Sequence, residues 1–538
     1  NAPYYDNEIE KSYVKLVGFG KSDILDPQET GTVVVKVNVQ DMASFDYNDA
    51  NGNDSATYEL DAGDYNLFAM KNSHEQYDAY AFSIGTGTEN TDDIILGTDD
   101  FSGAEANALF SGEDEYNLLD YYGGFEEDDL QMDLVSRMDF KNGTYTQPEA
   151  ATVDELKRDD SWFNDAVLRD YYAVADDKQT DGGYLSTPWT QGEGVLDANG
   201  HYETVLSDMT GVEFDDEKWT EFMNQLTFDE LVDVVSFGSH GTAAIPSINK
   251  EQTRETDGPI SLSRGFAWCV APLQAATWNT VLIERLGVLT ANQAMLRWQD
   301  AGYTNANDLA GWYVPAMNIH RSHFLGRTFE YYSEDGMLSG YMAAAVVGGA
   351  QSKGLNCWIK HFVLNDQEIY SKGINTYCTE QAFRETYCKP FQMAIQEGNA
   401  TGIMTSFNRI GQVAAAVNYK LIQELTRDEW GFDGAIVTDM YNSNCWPSTM
   451  LLRAGNDLPL GTLVPDGTWN SSLRNGQGSV EVTSVRNFSI ERNYEEGDIV
   501  STGTYQSRKL VLTYYELTKD YTAGALTSNS NADMAAEA

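Results

Sequence analysis

The first 80 residues alternate apolar and polar positions in the way that is typical of β-strands. Valines occupy every second position from Val33 to Val39, which is the period of a strand with one buried face. Four strands are predicted in this segment: Tyr13–Phe19, 32–39, Ala56–Leu60 and Tyr65–Met70. A β-sandwich of this kind needs about seven strands. We therefore expect residues 1–80 to form a partial β domain.

The pattern changes after residue 80. Residues 81–215 are acidic, rich in glycine and only weakly periodic, and Tyr, Asp and Thr dominate the stretch. Its many aromatic residues favour packing against other parts of the protein over a free linker. We expect an acidic connector that lies on the neighbouring domains.

Residues 216–465 alternate helical patterns with short apolar runs. The predicted helices are Phe228–Val235, Thr277–Asp300, Thr379–Glu397 and Tyr419–Trp430. The predicted strands between them include Leu355–Ile359, Gly402–Met404 and Ala435–Val437, each followed by polar residues. Strands that alternate with helices indicate a parallel sheet. This segment is therefore predicted to be an α/β domain of the TIM-like (β/α)8 barrel type, whose functional site lies where the strands end.

The last segment, residues 466–538, carries weaker signals. A β patch is predicted at Ser479–Val485 and a helix at Ser507–Asp520. The small and polar residues after Ala523 predict a flexible tail.

The charge of the chain narrows its range of partners. The sequence has 34 basic and 83 acidic residues, which gives a net charge of −49. Such a surface repels phosphate backbones and anionic lipids, so neither nucleic acid nor a membrane surface is an expected partner. No apolar run reaches the roughly 18 residues that a membrane-spanning helix needs. The acidity itself is typical of a solvated surface, including one adapted to salt.

Cysteine and histidine spacing gives no support to a metal site or a disulfide framework. The five cysteines are an odd number and contain no C-x-x-C pair. His320 and His323 lie three positions apart, but no third ligand has diagnostic spacing. We expect neither a metal nor another cofactor.

Polar residues at the predicted strand ends are the candidates for chemistry. Asp439 closes one strand, and Lys360 with His361 closes another. Each has a structural alternative, because Asp439 could cap the following helix and His361 could be a core residue bonded to backbone. Asp257 lies in an Asp-Gly-Pro turn, which alone is a weak signal. Arg327 lies close to several acidic residues, and an internal salt bridge is the default interpretation of that cluster.

Residues 226–460 resemble glycoside hydrolase family 3 in its β-glucosidase-like branch. The resemblance is carried by short segments in the family's order: Asp257-Gly258-Pro259, 276–279 (ATWN), 326–335 (GRTFEYYSED), 360–368 (KHFVLNDQE), 404–408 (MTSFN) and 429–439 (EWGFDGAIVTD). Residues 1–75 resemble more weakly the C-terminal half of the family's fibronectin-III-like domain. The resemblance implies a retaining exo-β-glycosidase.

The resemblance also implies a role for each candidate. The aspartate that closes the Trp-Gly-Phe-x-Gly strand is the family's nucleophile, which corresponds to Asp439. Asp257, Arg327, Lys360 and His361 correspond to the residues that hold the sugar hydroxyls in subsite −1. A carboxylate can attack the anomeric carbon, and charged donors and acceptors can orient a polyol.

This sequence departs from the family at several positions. Met440 stands where many members have a tryptophan that stacks on the next sugar, and Trp446 is the alternative for that contact. Phe407 stands where a tyrosine is usual, so one hydroxyl contact to the substrate is lost. The segment Val363–Glu368 replaces the Asp-His dyad of the family's acetamido-sugar branch, which argues against acetamido sugars as substrates.

The domain order resembles that of circularly permuted members, whose general acid/base glutamate lies on a sandwich domain before the fibronectin-like domain. No segment of residues 81–215 or 466–538 matches that domain, and Glu113 and Glu115 are poor substitutes. We expect the acid/base to come from a cleaved N-terminal fragment that stays bound, or from a partner subunit of a homo-oligomer. A mid-domain start favours an extracytoplasmic site. The alternatives are a β-xylosidase, a β-galactosidase or a non-catalytic carbohydrate-binding subunit.

Overall fold

A computed structural model describes most of the chain. The described residues are 1–5, 8–85, 93–111, 136–145, 194–236, 240–262, 266–300, 309–321, 325–368, 371, 374–411, 413–440, 451–452, 454–460, 479–482, 499–506, 509–517 and 534–537. The predictions made for Glu113, Glu115, His323 and Trp446, and for most of the connector, fall outside these residues.

The N-terminal segment contains five antiparallel strands: β1 (Ser44–Phe45), β2 (Tyr58–Leu60), β3 (Gly63–Asn72), β4 (Glu75–Ile84) and β5 (Ile94–Ile95). Strands β1, β2 and β5 form one sheet, and β3 pairs with β4 in a separate hairpin. The predicted strands at Ala56–Leu60 and Tyr65–Met70 thus correspond to β2 and β3. The hairpin also crosses the domain boundary expected at residue 80.

Two strands predicted in this segment are absent from it. Neither 13–19 nor 32–39 is in a strand, and all valines of the second except Val37 are exposed, with Val34 at 79%. The chain at Gly20 does run beside Val33, since a Cβ on Gly20 would lie 2.6 Å from the Val33 Cγ1. The alternating pattern predicts a strand only where one face is buried, and here neither face is covered.

A five-stranded parallel sheet forms the centre of the larger domain. Its strands are β6 (Arg254–Thr256), β7 (Leu309–Trp312), β8 (Asn356–Phe362), β9 (Gly402–Thr405) and β10 (Ala435–Thr438). Each strand pairs with the next one along the chain, and a parallel bridge from Val437 to Leu458 extends the sheet beyond β10. The predicted α/β class and its parallel strands are confirmed. Among the residues that the structure describes, the sheet has five of the eight strands of the predicted barrel.

Helices cover the outer face of this sheet. The longer ones are α1 (Thr280–Asp300), α2 (Gly336–Gln351), α3 (the consecutive segments Glu380–Ala382, Phe383–Cys388 and Lys389–Gln396) and α4 (Lys420–Glu429). Shorter α-helices are Arg137–Asn142, Glu217–Asn224, Phe228–Ser236 and Ala271–Ala275. The helices predicted from periodicity correspond to Phe228–Ser236, α1, α3 and α4. None of the described helices combines the length and apolar character that crossing a bilayer requires.

Helices α1 and α2 approach each other closely through glycines. A Cβ on Gly349 would lie 2.1 Å from the carbonyl oxygen of Glu284, and one on Gly287 would lie 2.3 Å from that of Val346. Only glycine permits this contact between backbones. The close packing holds α2 against β8, whose far end carries two of the predicted site residues.

The N-terminal segment docks on α3 through a buried charged cluster. Glu380 accepts hydrogen bonds from the backbone N–H groups of Leu109 and Phe110, both at 2.8 Å. Arg384, which is 1% exposed, binds Glu380 at 2.9 Å and Glu429 at 2.6 Å. The Arg384 guanidinium also lies over the ring of Phe45, at 4.3 Å from its centroid. Contacts of the charged residues Glu380 and Arg384 therefore hold the N-terminal segment against α3.

Two further sheets are formed by strands that do not belong to the parallel sheet. Asn375–Thr376, Arg409–Ile410 and Val413–Ala414 form a small sheet, and Ser479–Val482, Ile499–Gln506, Lys509–Leu517 and Met534–Glu537 form an antiparallel one. The helix predicted at 507–520 is wrong, because Lys509–Leu517 is a strand rich in β-branched and aromatic residues. The flexible tail predicted after Ala523 is likewise wrong at Met534–Glu537, which pairs with Ser479–Val482.

Candidate active site

The ends of the parallel strands bring the predicted site residues to one edge of the sheet. Asp257 directly follows β6, and Asp439 directly follows β10. Lys360 and His361 are the two residues before the last residue of β8. Phe407 lies two residues after the end of β9. Carboxyl ends of parallel strands open onto a common crevice. The order of the strands therefore assembles residues that are far apart in the sequence.

Lys360 is the buried cation of this site. Its side chain is 2% exposed, and its Nζ lies 2.7 Å from Asp257 Oδ1 and 3.7 Å from Glu330 Oε2. Glu330 in turn accepts a hydrogen bond from the guanidinium of Arg327. The salt bridge expected within the Arg327 cluster is therefore present. Two cations and two carboxylates alternate along one wall of the site.

The charges of this wall shift the pKa of Asp257. Partial burial acts to raise the pKa of Asp257, but the ion pair with Lys360 and the N–H of Gly258, which donates at 2.8 Å, outweigh burial and lower it. The carboxylate is therefore ionised at neutral pH, and its side chain is 58% exposed. An exposed, ionised acceptor next to a buried ammonium can receive hydrogen bonds from a polyol.

His361 faces Asp439 across the site. The distance from His361 Nε2 to Asp439 Oδ2 is 3.8 Å. Burial, together with the positive charges of Arg327 and Lys360, lowers the pKa of His361 well below its ordinary value, so the ring is neutral at neutral pH. Asn318 fixes the backbone of His361 on both sides, because its amide accepts from the His361 N–H and donates to the His361 carbonyl, each at 2.9 Å.

Asp439 is held at the strand end by backbone hydrogen bonds. Its N–H donates to the carbonyl of Thr405 at 2.9 Å, which continues the pairing of β9 with β10. Its Oδ1 accepts from the N–H of Met440 at 2.6 Å. The residue is 8% exposed. The carboxylate is therefore held at the strand end and is mostly shielded from water.

Phe407 and Met440 lie at the ends of the two strands nearest Asp439. Phe407 is buried, whereas Met440 is 43% exposed and can contact a ligand that extends out of the site. Both are apolar, so they supply surface and no charge to the site.

Three further residues of this site were not predicted to have a role in it. Glu330 was interpreted only as a salt-bridge partner, yet it joins Arg327 to Lys360. Asn318 and Tyr331 contact His361 directly. Glu330 and Tyr331 lie inside the quoted segment 326–335, so the motif was a signal for them. Asn318 had no such signal.

The assembled groups can bind and orient a sugar. They provide the buried ammonium of Lys360, the guanidinium of Arg327, the ionised carboxylate of Asp257 and the neutral imidazole of His361 around one aspartate, which suits hydroxyl groups of a pyranose ring. Across the part of the chain that is described, no group of three or more His, Cys, Asp or Glu side chains is arranged to hold a metal ion.

Comparison with known families decides the class of this domain. Residues 273–446 match the family model described as the glycosyl hydrolase family 3 N-terminal domain. These residues are similar to that family 3 domain. The match spans β7 to β10, the strands that carry Lys360, His361 and Asp439.

Relatives of the family 3 domain include two bacterial proteins. A β-glucosidase of Rhizobium radiobacter is 32% identical over 281 residues, which is 50% of this chain and 32% of that protein. β-Glucosidase A of Butyrivibrio fibrisolvens is 27% identical over 465 residues, which is 83% of this chain and 49% of that protein. The chain thus spans half or less of the length of these relatives.

A solved structure extends the likeness beyond the family 3 domain. The crystal structure of a β-glucosidase from Paenibacillus barengoltzii covers 88% of this chain and 48% of its own, with a TM-score of 0.59 and 22% identity. At this identity the likeness bears on the fold alone, and it agrees with an α/β architecture around a parallel sheet.

Proposed function

We propose that this chain carries the nucleophile of a retaining exo-β-glycosidase that acts on β-glucosides or similar sugars. The observation that supports this most directly is the placement of Asp439, a nearly buried carboxylate 3.8 Å from the neutral imidazole of His361. The names of the relatives support β-glucosides as the first substrates to test.

The proposed reaction proceeds in two displacements. A carboxylate oxygen of Asp439 attacks the anomeric carbon, the bond to the leaving oxygen breaks, and a general acid gives that oxygen a proton. Water then attacks the glycosyl–Asp439 ester, the same acid group now accepts the proton of the water, and the sugar is released. No metal or redox cofactor is required for either step.

The wall of charged residues would hold the sugar during both steps. Asp257 accepts from hydroxyls, while Lys360, Arg327 and His361 donate to them. Bonds that strengthen as positive charge develops on the ring contribute to catalysis, because only interactions that are stronger in the transition state accelerate the reaction. Phe407 and Met440 would bound the sugar and its aglycone.

The general acid/base would come from outside this chain. A retaining mechanism places the two carboxyl groups about 5–5.5 Å apart. Of the described acidic residues, Asp257 is bonded to Lys360 and Glu330 is bonded to both Arg327 and Lys360, and each has a binding role. A bound N-terminal fragment or a partner subunit would supply the glutamate.

The domain assignment belongs to the same proposal. We infer that residues 1–80 are part of a fibronectin-III-like domain, that 81–215 form a connector, that 216–465 form the catalytic barrel and that 466–538 are a C-terminal extension. The antiparallel sheet of β1, β2 and β5 and the β3–β4 hairpin support a β-sandwich fragment, and they extend it past residue 80 to Ile95.

Covalent trapping tests the proposed nucleophile. The natively purified assembly is incubated with a 2-fluoro β-glucosyl fluoride, digested and analysed by mass spectrometry. A fluoroglucosyl group on the peptide that contains Asp439 is expected, and none is expected in Asp439→Asn. Labelling of a different residue, or of none in an assembly that hydrolyses nitrophenyl β-glucoside, would contradict the proposal. Native mass spectrometry of the same sample checks for the second polypeptide.

Two features favour testing other sugars as well. Phe407 stands where the family usually has a tyrosine hydroxyl, and Met440 stands where many members have a tryptophan that stacks on the next sugar. A β-xylosidase or β-galactosidase is therefore the second candidate. Comparison of kcat/KM for nitrophenyl glucoside, xyloside and galactoside separates these. A sugar that binds without any hydrolysis or labelling would identify a carbohydrate-binding subunit instead.

A further inference from the structure

A line of hydrogen-bonding side chains lies behind His361, on the side away from Asp439. The hydroxyl of Tyr331 is 3.2 Å from His361 Nδ1, and the amide Nδ2 of Asn365 is 3.4 Å from the same hydroxyl. All three residues are at most 1% exposed. The other ring nitrogen, Nε2, faces Asp439. The Tyr331 hydroxyl and His361 Nδ1 therefore find partners within this line, whereas the buried Oδ1 of Asn365 has none among the described residues.

The direction of each hydrogen bond follows from counting protons. Asn365 Nδ2 carries only donors, so the oxygen of Tyr331 accepts from it. Burial raises the pKa of Tyr331 well above its ordinary value, so the phenol keeps its proton at any working pH. Among the described contacts of this hydroxyl, His361 Nδ1 is the acceptor open to that proton, so we assign Nδ1 as the acceptor. A neutral imidazole whose Nδ1 accepts carries its own proton on Nε2.

We infer that Tyr331 is a positioning residue, which together with Asn365 fixes His361 in the Nε2–H tautomer and aims that N–H at Asp439 and the sugar. The opposite tautomer would turn a lone pair of Nε2 towards the carboxylate and remove a donor from the site. The kinetic consequence rests on the proposed function, whereas the tautomer itself does not.

The geometry of the backbone supports this assignment independently. Asn318 holds both the N–H and the carbonyl of His361, so the ring cannot be repositioned by a shift of the strand. The rings of Tyr331 and His361 lie edge to face, with centroids 6.1 Å apart and planes at 84°. In this contact the hydroxyl of Tyr331 therefore hydrogen-bonds Nδ1 of His361 and leaves Nε2 to face Asp439.

Nitrogen NMR of the full chain measures the tautomer directly. The protein contains six histidines, so a long-range proton–nitrogen spectrum of histidine-labelled protein is sparse, and His361→Gln assigns the signal. The wild type is expected to show a protonated Nε2 and an unprotonated Nδ1. A protonated Nδ1 in the wild type would overturn the inference. Activity is not needed for this measurement, so it stands even if the glycosidase proposal fails.

Two variants test which groups control the tautomer. Tyr331→Phe removes the donor, and a mixture of both tautomers is expected, whereas Tyr332→Phe, a buried neighbour in the core, is expected to leave the His361 signals unchanged. In Asn365→Asp the Tyr331 hydroxyl is expected to donate its proton to the new carboxylate. The Tyr331 oxygen can then only accept from His361, so the proton of the imidazole is expected to move to Nδ1. An unchanged Nε2–H tautomer in both Tyr331→Phe and Asn365→Asp would refute the assigned role.

Kinetics of the native assembly then measure how much the Nε2–H tautomer of His361 contributes to kcat/KM. The loss of one neutral hydrogen bond predicts a fall in kcat/KM of about three- to tenfold in Tyr331→Phe, with Tyr332→Phe close to the wild type. Wild-type kinetics in Tyr331→Phe, together with an altered tautomer, would show that the tautomer does not matter for the reaction. Absence of hydrolysis in the wild type would instead count against the proposed function alone.

Discussion

Lys360 and Asp257 form an ion pair in which the cation is buried and the anion is not. The two atoms Nζ and Oδ1 are 2.7 Å apart, while the side chains are 2% and 58% exposed. The ammonium has a second buried carboxylate nearby, that of Glu330. The ammonium of Lys360 therefore lies close to one buried carboxylate, that of Glu330, and to one exposed carboxylate, that of Asp257.

Lys360→Met should therefore destabilise the protein as well as weaken sugar binding. It leaves Glu330 with one cation fewer in the interior, and because Arg327 still pairs with Glu330, the loss should be smaller than the about 3–5 kcal/mol of a buried charge left without a partner. Urea unfolding measures this loss. The control is Lys71→Met, since Lys71 pairs with Glu75 on the surface with both side chains 57% exposed, and such pairs contribute little. Equal losses in the two variants would contradict the prediction.

The same variant should change the titration of Asp257. The pKa of Asp257 is lowered in the folded protein, so its contribution to stability is present above the ordinary carboxylate pKa and is lost as the pH falls through the folded pKa. Lys360→Met should move the pKa of Asp257 upward, as measured by carboxyl carbon NMR, and so reduce this loss of stability on the acid side.

Asp366 makes the opposite contribution. Burial raises its pKa to about 7, against the attraction of Arg321, and its Oδ1 is buried without a hydrogen-bond partner. The folded state thus binds a proton that the unfolded state releases, and stability falls as the pH rises from about 4 to about 7. Asp366→Asn should abolish this fall and add up to about 4 kcal/mol at pH 8.

Urea unfolding at pH 5 and pH 8 checks the Asp366 prediction. The advantage of the variant should be about 1.6 kcal/mol at pH 5, where the unfolded state has already lost the proton that the folded wild type keeps, and should rise to about 4 kcal/mol at pH 8. Asp23→Asn makes the same change of charge on an exposed residue and should have little effect at either pH. A stability difference for Asp366→Asn that is the same at both pH values would contradict the assigned cause.

Arg384→Met should loosen the N-terminal segment from the barrel. The substitution leaves the carboxylates of Glu380 and Glu429 buried without their shared cation, and the expected loss is about 3–5 kcal/mol. Limited proteolysis should cut within residues 1–111 faster, and urea should unfold the variant earlier. Arg285→Met, on the exposed face of α1, is the matched control. Unchanged proteolysis would show that the charged cluster does not hold the segment.

Met440→Trp should improve binding of substrates with an aromatic aglycone. The side chain of Met440 is 43% exposed beside Asp439, and an aromatic stacking contact contributes about 0.5–1.5 kcal/mol. The KM of the native assembly for nitrophenyl β-glucoside should fall by about two- to tenfold. Met440→Leu keeps the size without the ring and should not change KM. A similar KM for both variants would place Met440 outside the aglycone contact.

Much of the barrel could be predicted from the sequence because its signals are local. Long amphipathic segments predicted α1 and α3, and apolar runs closed by polar residues predicted β8, β9 and β10. Parallel strands are buried on both faces, so such runs are characteristic of them. The positions of Lys360, His361 and Asp439 at strand ends then led to a common site.

The remaining features depend on contacts between distant residues. The valines around Val35 have the period of a strand but no covering surface, and the strand Lys509–Leu517 needed the partner Ile499–Gln506 to be distinguished from a helix. Asn318 contacts His361 across 43 positions in sequence. Nothing in the residues beside Asn318 marks that contact, because a buried hydrogen bond is defined by geometry and not by composition.

The docking of the N-terminal segment on α3 has a consequence for synthesis of the chain. Its contacts include Leu109 with Glu380, which are 271 positions apart, and Lys15 with Glu385, which are 370 positions apart. At roughly 5–20 residues per second, a ribosome needs on the order of 15–70 s to reach α3 after it has made the segment. During that interval Phe110, which packs against Phe383 in the core of the larger domain, has no surface to cover it. This is the stage at which a chaperone that binds apolar segments would act on the nascent protein.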